Sequence, residues 1–376
     1  MFAFFRSRGY VEGRIDEKLF ALVLSLMLVF AFAGSALAFE PVPADEIKVG
    51  FVYIGDPSDK GYTLAHHEGT LEMQEALGLR DDQILVKTNV TEDSACENAI
   101  LELIEQGCNV IFGNSFGFGT YMAELAEQYP DVIFLHCSGN LSNDVNFANY
   151  FGRIWEARYL AGIAAGLRTE NNHLGYVAAM QIPECIYSMN AYFLGARSVN
   201  PDVTMDVLFT NTWYDPTIEG QAAQALIDMG CDVIAQHQDT TMPVAAAEEA
   251  GVWACGYNCD MTEDGPNAHL TAPIWHWGIY VTEQVQAVID GTWEPVNRLE
   301  GMNEGWVDIS PLTENCAEGT EEAVEAAREA IMSGELQIFS GEITDNEGNV
   351  VVAEGQTLTD EEILQITWFC EGITIN

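Results

Sequence analysis

Short apolar stretches rich in β-branched and aromatic residues alternate with longer amphipathic ones along most of this chain. Residues 47–54 predict a strand, and residues 63–77, with Leu64, Leu71, Ala76 and Leu77 near helical spacing, predict a helix. The same rhythm predicts strands at 84–86, 110–112 and 132–135, helices at 94–106 and 121–128, an extended pair at 150–151, and an apolar helix at 155–167. It then restarts, with strands at 174–177, 203–209, 233–235 and 252–255 and helices at 186–198, 218–229 and 243–250. Strands alternating with helices of this length mean α/β architecture with parallel sheets. Two successive runs mean two doubly wound lobes, with a cleft between their strand ends. Residues 270–272 and a helix at 279–289 read as a return to the first lobe. The tail adds an acidic, Ala-rich helix at 321–332 and a hairpin at 341–354, turning at Asn346-Glu347-Gly348-Asn349. The lobes so defined are 39–152 with 273–305, and 153–272 with 306–376.

Residues 1–38 read as an export signal. Arg6, Arg8, Arg14 and Lys18 precede an uncharged apolar run at 19–33, and Ala36-Leu37-Ala38 offers a small-residue cleavage pattern. The run is shorter than the roughly 20 residues of a spanning helix. Cleavage near Ala38 predicts a periplasmic or secreted protein, and no Cys follows the run to carry a lipid anchor. The mature part, about 338 residues, exceeds what one core organises, so two lobes are expected from size as well. The whole chain holds 14 Lys and Arg against 58 Asp and Glu, a formal net charge of −44. That excess argues against nucleic acid or an anionic membrane surface as partner. Nine cysteines are scattered over positions 96 to 370, which predicts at most one or two disulfides and at least one free thiol.

Chemistry collects just past the predicted strand ends. The first loop, Gly55 to Tyr62, offers the carboxylate of Asp59, the ammonium of Lys60 and the ring of Tyr62, with His66 and His67 on the helix beyond. A later loop carries Ser115 and Phe116, and the second half adds Glu184, Thr212-Trp213-Tyr214, His237-Gln238-Asp239, Tyr257-Asn258-Cys259-Asp260 and Trp275-His276-Trp277. Flat aromatic faces with a few amide and carboxylate acceptors suit a planar, hydrogen-bonding heterocycle. A carboxylate accepts from a ring N–H or an exocyclic amine. Any one Trp in such a set is more often packing than contact; their recurrence at strand ends carries the reading. No serine-nucleophile elbow, phosphate-binding loop or metalloprotease motif is present, so an enzyme is not expected. Adjacent His66 and His67 on a helix point apart, and neither a metal nor a cofactor is expected.

These residues resemble the basic membrane protein family, the substrate-binding proteins of ABC importers similar to purine-nucleoside receptors. The resemblance runs from Lys48-Val-Gly-Phe-Val through Asp59-Lys-Gly-Tyr62 and Glu68-Gly69 to Glu156-Ala-Arg-Tyr159-Leu-Ala-Gly162. It continues in Gly195-Ala-Arg-Ser-Val-Asn-Pro201, Trp213-Tyr-Asp-Pro216, Ala225-Leu-Ile-Asp-Met-Gly230 and Ile338-Phe-Ser-Gly341. It implies a type I periplasmic-binding-protein fold, two lobes on a three-segment hinge clamping a ligand between them. It further implies Tyr62 and Trp213 stacking on a base, Asp59 at the first loop, Ser115 and Phe116 on the pocket floor, and Asp260 as the second-lobe acid that reaches a sugar. Where the nucleoside receptors carry a Lys, this chain has Trp275. That departure, with His66-His67-Glu68 and Trp277-Gly278, resembles the branch that binds a free base such as adenine.

The expected function is therefore capture of a purine-type ligand, free base over nucleoside, by a monomer that delivers it to an ABC permease. The alternatives are a receptor or sensor for another small solute on the same fold, and a secreted nucleoside hydrolase.

Overall fold

The computed structural model describes residues 39–376, so the export signal read at 1–38 lies outside the described residues. The first sheet is built from β1 (Val49–Val52), β2 (Ile84–Lys87), β3 (Val110–Gly113), β4 (Ile133–Cys137), β5 (Phe147–Gly152) and, far along the chain, β12 (Arg298–Glu300). Its order is β12-β5-β4-β3-β1-β2, and every pairing is parallel. The helices α1 (Tyr62–Leu77), α2 (Ser94–Glu105) and α3 (Gly119–Gln128) connect these strands. β1, β3, β4 and β5 are buried throughout, which is why their sequences read as continuous apolar runs rather than alternations.

The chain crosses to the second lobe through α4 (Ile154–Arg168). There β6 (His173–Ala178), β7 (Thr204–Phe209), β8 (Val233–His237), β9 (Trp253–Cys255) and β10 (His269–Thr271) alternate with α5 (Pro183–Val199), α6 (Pro216–Asp228) and α7 (Met242–Ala250). It returns through β11 (Pro273–Trp275) and α8 (Trp277–Asp290), which packs on α1, and leaves again through β13 (Val307–Ile309) after β12. β11 and β13 pair antiparallel, so two of the three crossings form one ribbon. Ser310 locks it: its carbonyl accepts from the Thr271 hydroxyl at 2.7 Å, and its own hydroxyl accepts from the Ala272 amide at 2.9 Å. The tail supplies α9 (Thr320–Met332), the hairpin β14 (Ile343–Thr344) and β15 (Val350–Val352), the short α10 (Asp360–Ile363) and β16 (Ile373–Ile375). β16 joins the second sheet, whose order is β10-β9-β8-β6-β7-β16, again all parallel.

The two doubly wound lobes and three crossings agree with the expectation. The sequence periodicity missed β12, β13 and β16, each three residues long and half-polar, because so short an edge strand leaves no period to read. In each lobe the strand order reverses between two neighbours, β1 and β3 in the first and β6 and β8 in the second. The loops leaving such a pair diverge and open a crevice at the carboxyl ends of the strands. The two crevices face each other across the cleft. All nine cysteines are free, and seven of them are buried.

Candidate functional site

The loop after β1 is shaped by two aspartates. Asp56 accepts from the Ser58 amide at 3.0 Å and starts a one-turn helix, Pro57–Asp59. Lys60 follows in the left-handed region at φ 57°, and Asp59 turns back to cap α1. Its carboxylate accepts from the amides of Gly61 (2.9 Å), Thr63 (2.8 Å) and Leu64 (3.1 Å). Capping uses the donors that the first turn leaves free, so Asp59 holds the loop and does not line the cleft. The loop then delivers Tyr62 to the cavity, where its hydroxyl donates to the Asn114 carbonyl at 2.6 Å.

Behind Tyr62 runs a file of aromatic rings. His66 meets Tyr62 edge-on, with ring centroids 4.6 Å apart, and stacks on Trp277 at 4.7 Å and 9°. Trp277 stacks on Trp275 at 4.5 Å and 18°. Burial pushes the His66 pKa down to about 3, so the ring is neutral and packs as an apolar plate. Trp275 is buried in β11 and donates its indole N–H to Asn258 at 2.9 Å. These two residues, expected at the ligand, back the wall that Tyr62 presents. Asp260 is exposed and accepts from the amide and hydroxyl of Thr262, away from the cavity.

The cavity itself is lined by Ile54, Tyr62, Asn114, Ser115, Phe116 and Ser138 from the first lobe. Glu184, Trp213, His237, Asp239 and Tyr257 close it from the second. Six of the ten expected residues are therefore brought together: Tyr62, Ser115, Phe116, Glu184, Trp213 and Asp239. Of the other five lining residues, Asn114, His237 and Tyr257 belong to the loops the sequence reading picked out and Ile54 and Ser138 do not, yet all five sit at strand ends. That position was the signal that could have found them. The space between these atoms is ≈ 360 Å³, counting the part open to solvent, but the centre of a water-sized sphere can move in only ≈ 20 Å³ of it. The lobes or the rings must part to admit a planar ligand.

Its polar groups are unevenly satisfied. Asn114 spends its side-chain oxygen on the Ile54 amide at 2.9 Å, while its buried Nδ2 has no partner. Ser115 donates to Glu92 at 2.6 Å and so faces its own lobe. Glu184 lies in the first turn of α5, where the helix N-terminus favours negative charge, and accepts from the Ser138 hydroxyl at 2.5 Å across the cleft. Its other oxygen is 3.8 Å from Nε2 of His237, whose pKa burial lowers to about 4. Asp239 is buried, and among the described residues its carboxyl has no side-chain hydrogen bond. Burial raises its pKa well above the usual carboxylate range, and the negative charges of Asp59, Glu219, Glu184 and Glu92 add to the effect. Among the described residues, no Lys or Arg lines the cavity. Arg158 lies behind it, fully buried, with its guanidinium 3.6 Å over the outer face of Tyr257 and one N–H donated to the Gln236 carbonyl at 2.7 Å. The arrangement offers aromatic faces, acceptors and one amide donor. No cation stands on its wall among the described residues; the nearest, Arg158, has Nε and Nη2 unpartnered but lies behind Tyr257.

The lobes touch on both sides of this cavity. Lys60 pairs with Asp264 at 2.9 Å, Cys259 approaches the Gly61 carbonyl at 3.3 Å, and Ser138 meets Glu184. The cleft is closed.

A family model described as Bmp, ABC transporter substrate-binding protein PnrA-like, matches residues 46–342. A purine-binding protein of Brucella abortus is 37% identical over 287 residues, which span 76% of this chain and 81% of that one. A putative ABC transporter glucose-binding protein of Haloferax volcanii is 40% identical over 265 residues, spanning 70% and 67%. Among solved structures, an ABC transporter solute-binding protein from Aeropyrum pernix superposes with a TM-score of 0.69 at 18% identity, covering 84% of this chain and 95% of its own. A transcriptional activator of the comK gene from Bacillus halodurans superposes at 0.66 and 22% identity, covering 77% and 99%. At such identities these structures speak to the fold alone, which is the type I periplasmic-binding architecture.

Proposed function

The chain belongs to the Bmp family of PnrA-like ABC transporter substrate-binding proteins, and from that membership we propose that it captures a purine base between its lobes. The ring lies between Tyr62 and Trp213, with Phe116 and Tyr257 closing the ends. The observation that carries this reading is the pairing of four aromatic walls with Asp239 and the Asn114 Nδ2, which lack partners, and with Glu184, which accepts from Ser138. Asp239 and Glu184 accept from ring N–H or amine groups, and the free Nδ2 of Asn114 donates to a ring nitrogen. A heterocycle with adjacent donors and acceptors satisfies this set, whereas an anion meets two carboxyls and no cation. The name of the Brucella relative supports the same class. A free base such as adenine is favoured over its nucleoside because the cavity is tight, and because Asp260 and Trp275 lie outside it and offer a sugar nothing.

A ligand that prefers the closed form shifts the lobes toward it, and the closed surface is what a membrane permease reads. The working form is a monomer, exported after cleavage near Ala38. The lobes that move are 39–152 with 273–305 and 153–272 with 306–376.

The Haloferax relative's name favours a second reading, a hexose held between the same aromatic walls. Titration calorimetry on protein stripped of ligand separates the two. Adenine should bind in the micromolar range or tighter, adenosine more weakly, and glucose without detectable heat. Glucose binding with adenine silent would replace the purine reading by the sugar one.

A further inference from the structure

A second compartment adjoins the cavity, and it is the roomier of the two. It holds ≈ 640 Å³ for the centre of a water-sized sphere, against ≈ 20 Å³ within. Phe116 and Glu184 belong to both walls, so the two spaces meet at these side chains. Its apolar lining comes from Phe116, Phe151, Ile182, Tyr187, Leu299 and Leu364. Phe116 and Leu364 are large apolar side chains left 49% and 36% exposed, and both border this space. The one guanidinium at its edge, Arg298, is already paired with Glu283 at 3.0 Å and Glu300 at 2.7 Å. Leu364, with Glu361 and Gln365, comes from the tail beyond the family match, which ends at residue 342. That tail is fixed to the rest of the second lobe: Arg153 binds Asp360 at 2.9 Å, and Asn190 accepts from the Cys370 amide at 3.0 Å.

We propose that the outer compartment receives an uncharged, mainly apolar substituent carried on the ligand's exocyclic amine, so that the ligand class extends to N-alkylated and N-arylated purine bases. The inference rests on the purine reading of the inner cavity. An amine with one substituent keeps one N–H, which still donates to Glu184 while the substituent passes Phe116. Exposed apolar faces on Phe116 and Leu364 are then covered, which favours an apolar substituent over a polar one. A phosphate is excluded, since its negative charge would meet Glu184 and Glu361 with no free cation.

Calorimetry on the full mature chain with adenine, and with adenine benzylated on its exocyclic amine, tests this. The benzylated base should bind at least as tightly as adenine. Leu364→Trp, which fills the outer space from an exposed position, should weaken the benzylated base tenfold or more and leave adenine within twofold. Weaker binding of the benzylated base than of adenine by the unmodified protein overturns the inference while leaving the purine reading intact. So does a Leu364→Trp effect that is below tenfold or equal for both ligands. Failure of adenine itself to bind overturns the purine reading, and this inference falls with it.

Discussion

Asp239 is the carboxyl of the cavity wall that, among the described residues, has no hydrogen-bond partner. It is buried on the cavity wall without a side-chain partner, and burial and neighbouring carboxylates raise its pKa. A raised carboxyl pKa means that the folded state binds this proton more tightly than the unfolded chain does. Ionising it in place therefore costs stability at neutral pH, and the cost is relieved as pH falls through the folded value. Asp239→Asn should raise the melting temperature of the ligand-free protein at pH 7, with the gain shrinking toward pH 4, and should weaken ligand binding. Thermal melts across that range decide it, and a pH-independent or negative shift would contradict the assignment. At this scale the sequence told which residue types stand at strand ends, but not which way they face. Asp59 and Asp239 are both loop aspartates; three backbone amides claim the first, and the second points into the cleft. Trp213 and Trp275 differ in the same way, since a buried strand holds the latter while a loop presents the former.

At the scale of elements, the glycines of the family-like motifs have a concrete reason. α4 and α5 cross with their backbones in contact. A Cβ at Gly162 would stand 2.0 Å from the Tyr192 carbonyl, and one at Gly195 would stand 2.0 Å from that of Tyr159. Gly162→Ala should destabilise by about 3 kcal/mol or more, the upper end of overpacking penalties, and denaturant unfolding measures it. Gly61 plays a different part. Its φ of −142° and ψ of −122° lie outside the usual β and α regions, so a side chain strains the loop locally, and a Cβ there would come 2.4 Å from the Asp239 carbonyl of the other lobe. Gly61→Ala should leave both lobes folded, strain the loop before Tyr62 and obstruct their closure. Small-angle scattering would then show the variant staying expanded at ligand concentrations that contract the unmodified protein. Equal contraction would mean that the lobes close some other way. The βα units were legible from period and length, down to the restart at 174. The hinge ribbon of β11 and β13 was not, because its two three-residue strands come from segments more than 30 residues apart and acquire meaning only when paired.

For the whole molecule, two sheets of one design face each other, and the ligand's place follows from where their strand orders reverse. Most Asp and Glu among the described residues are exposed or half-buried, and the cavity wall carries two carboxyls, Glu184 and Asp239. Each lobe contributes two large rings to the same space, and the account stands or falls on a planar base between Tyr62 of the first and Trp213 of the second. Base–aromatic stacking contributes about 1–3 kcal/mol per base. The direct measurement is calorimetric titration of adenine into the unmodified protein and into Trp213→Ala, with circular dichroism to show that the variant is folded. The account predicts a loss of about 1–3 kcal/mol in binding free energy, roughly 5- to 150-fold in Kd; unchanged adenine affinity in a folded Trp213→Ala protein would contradict it.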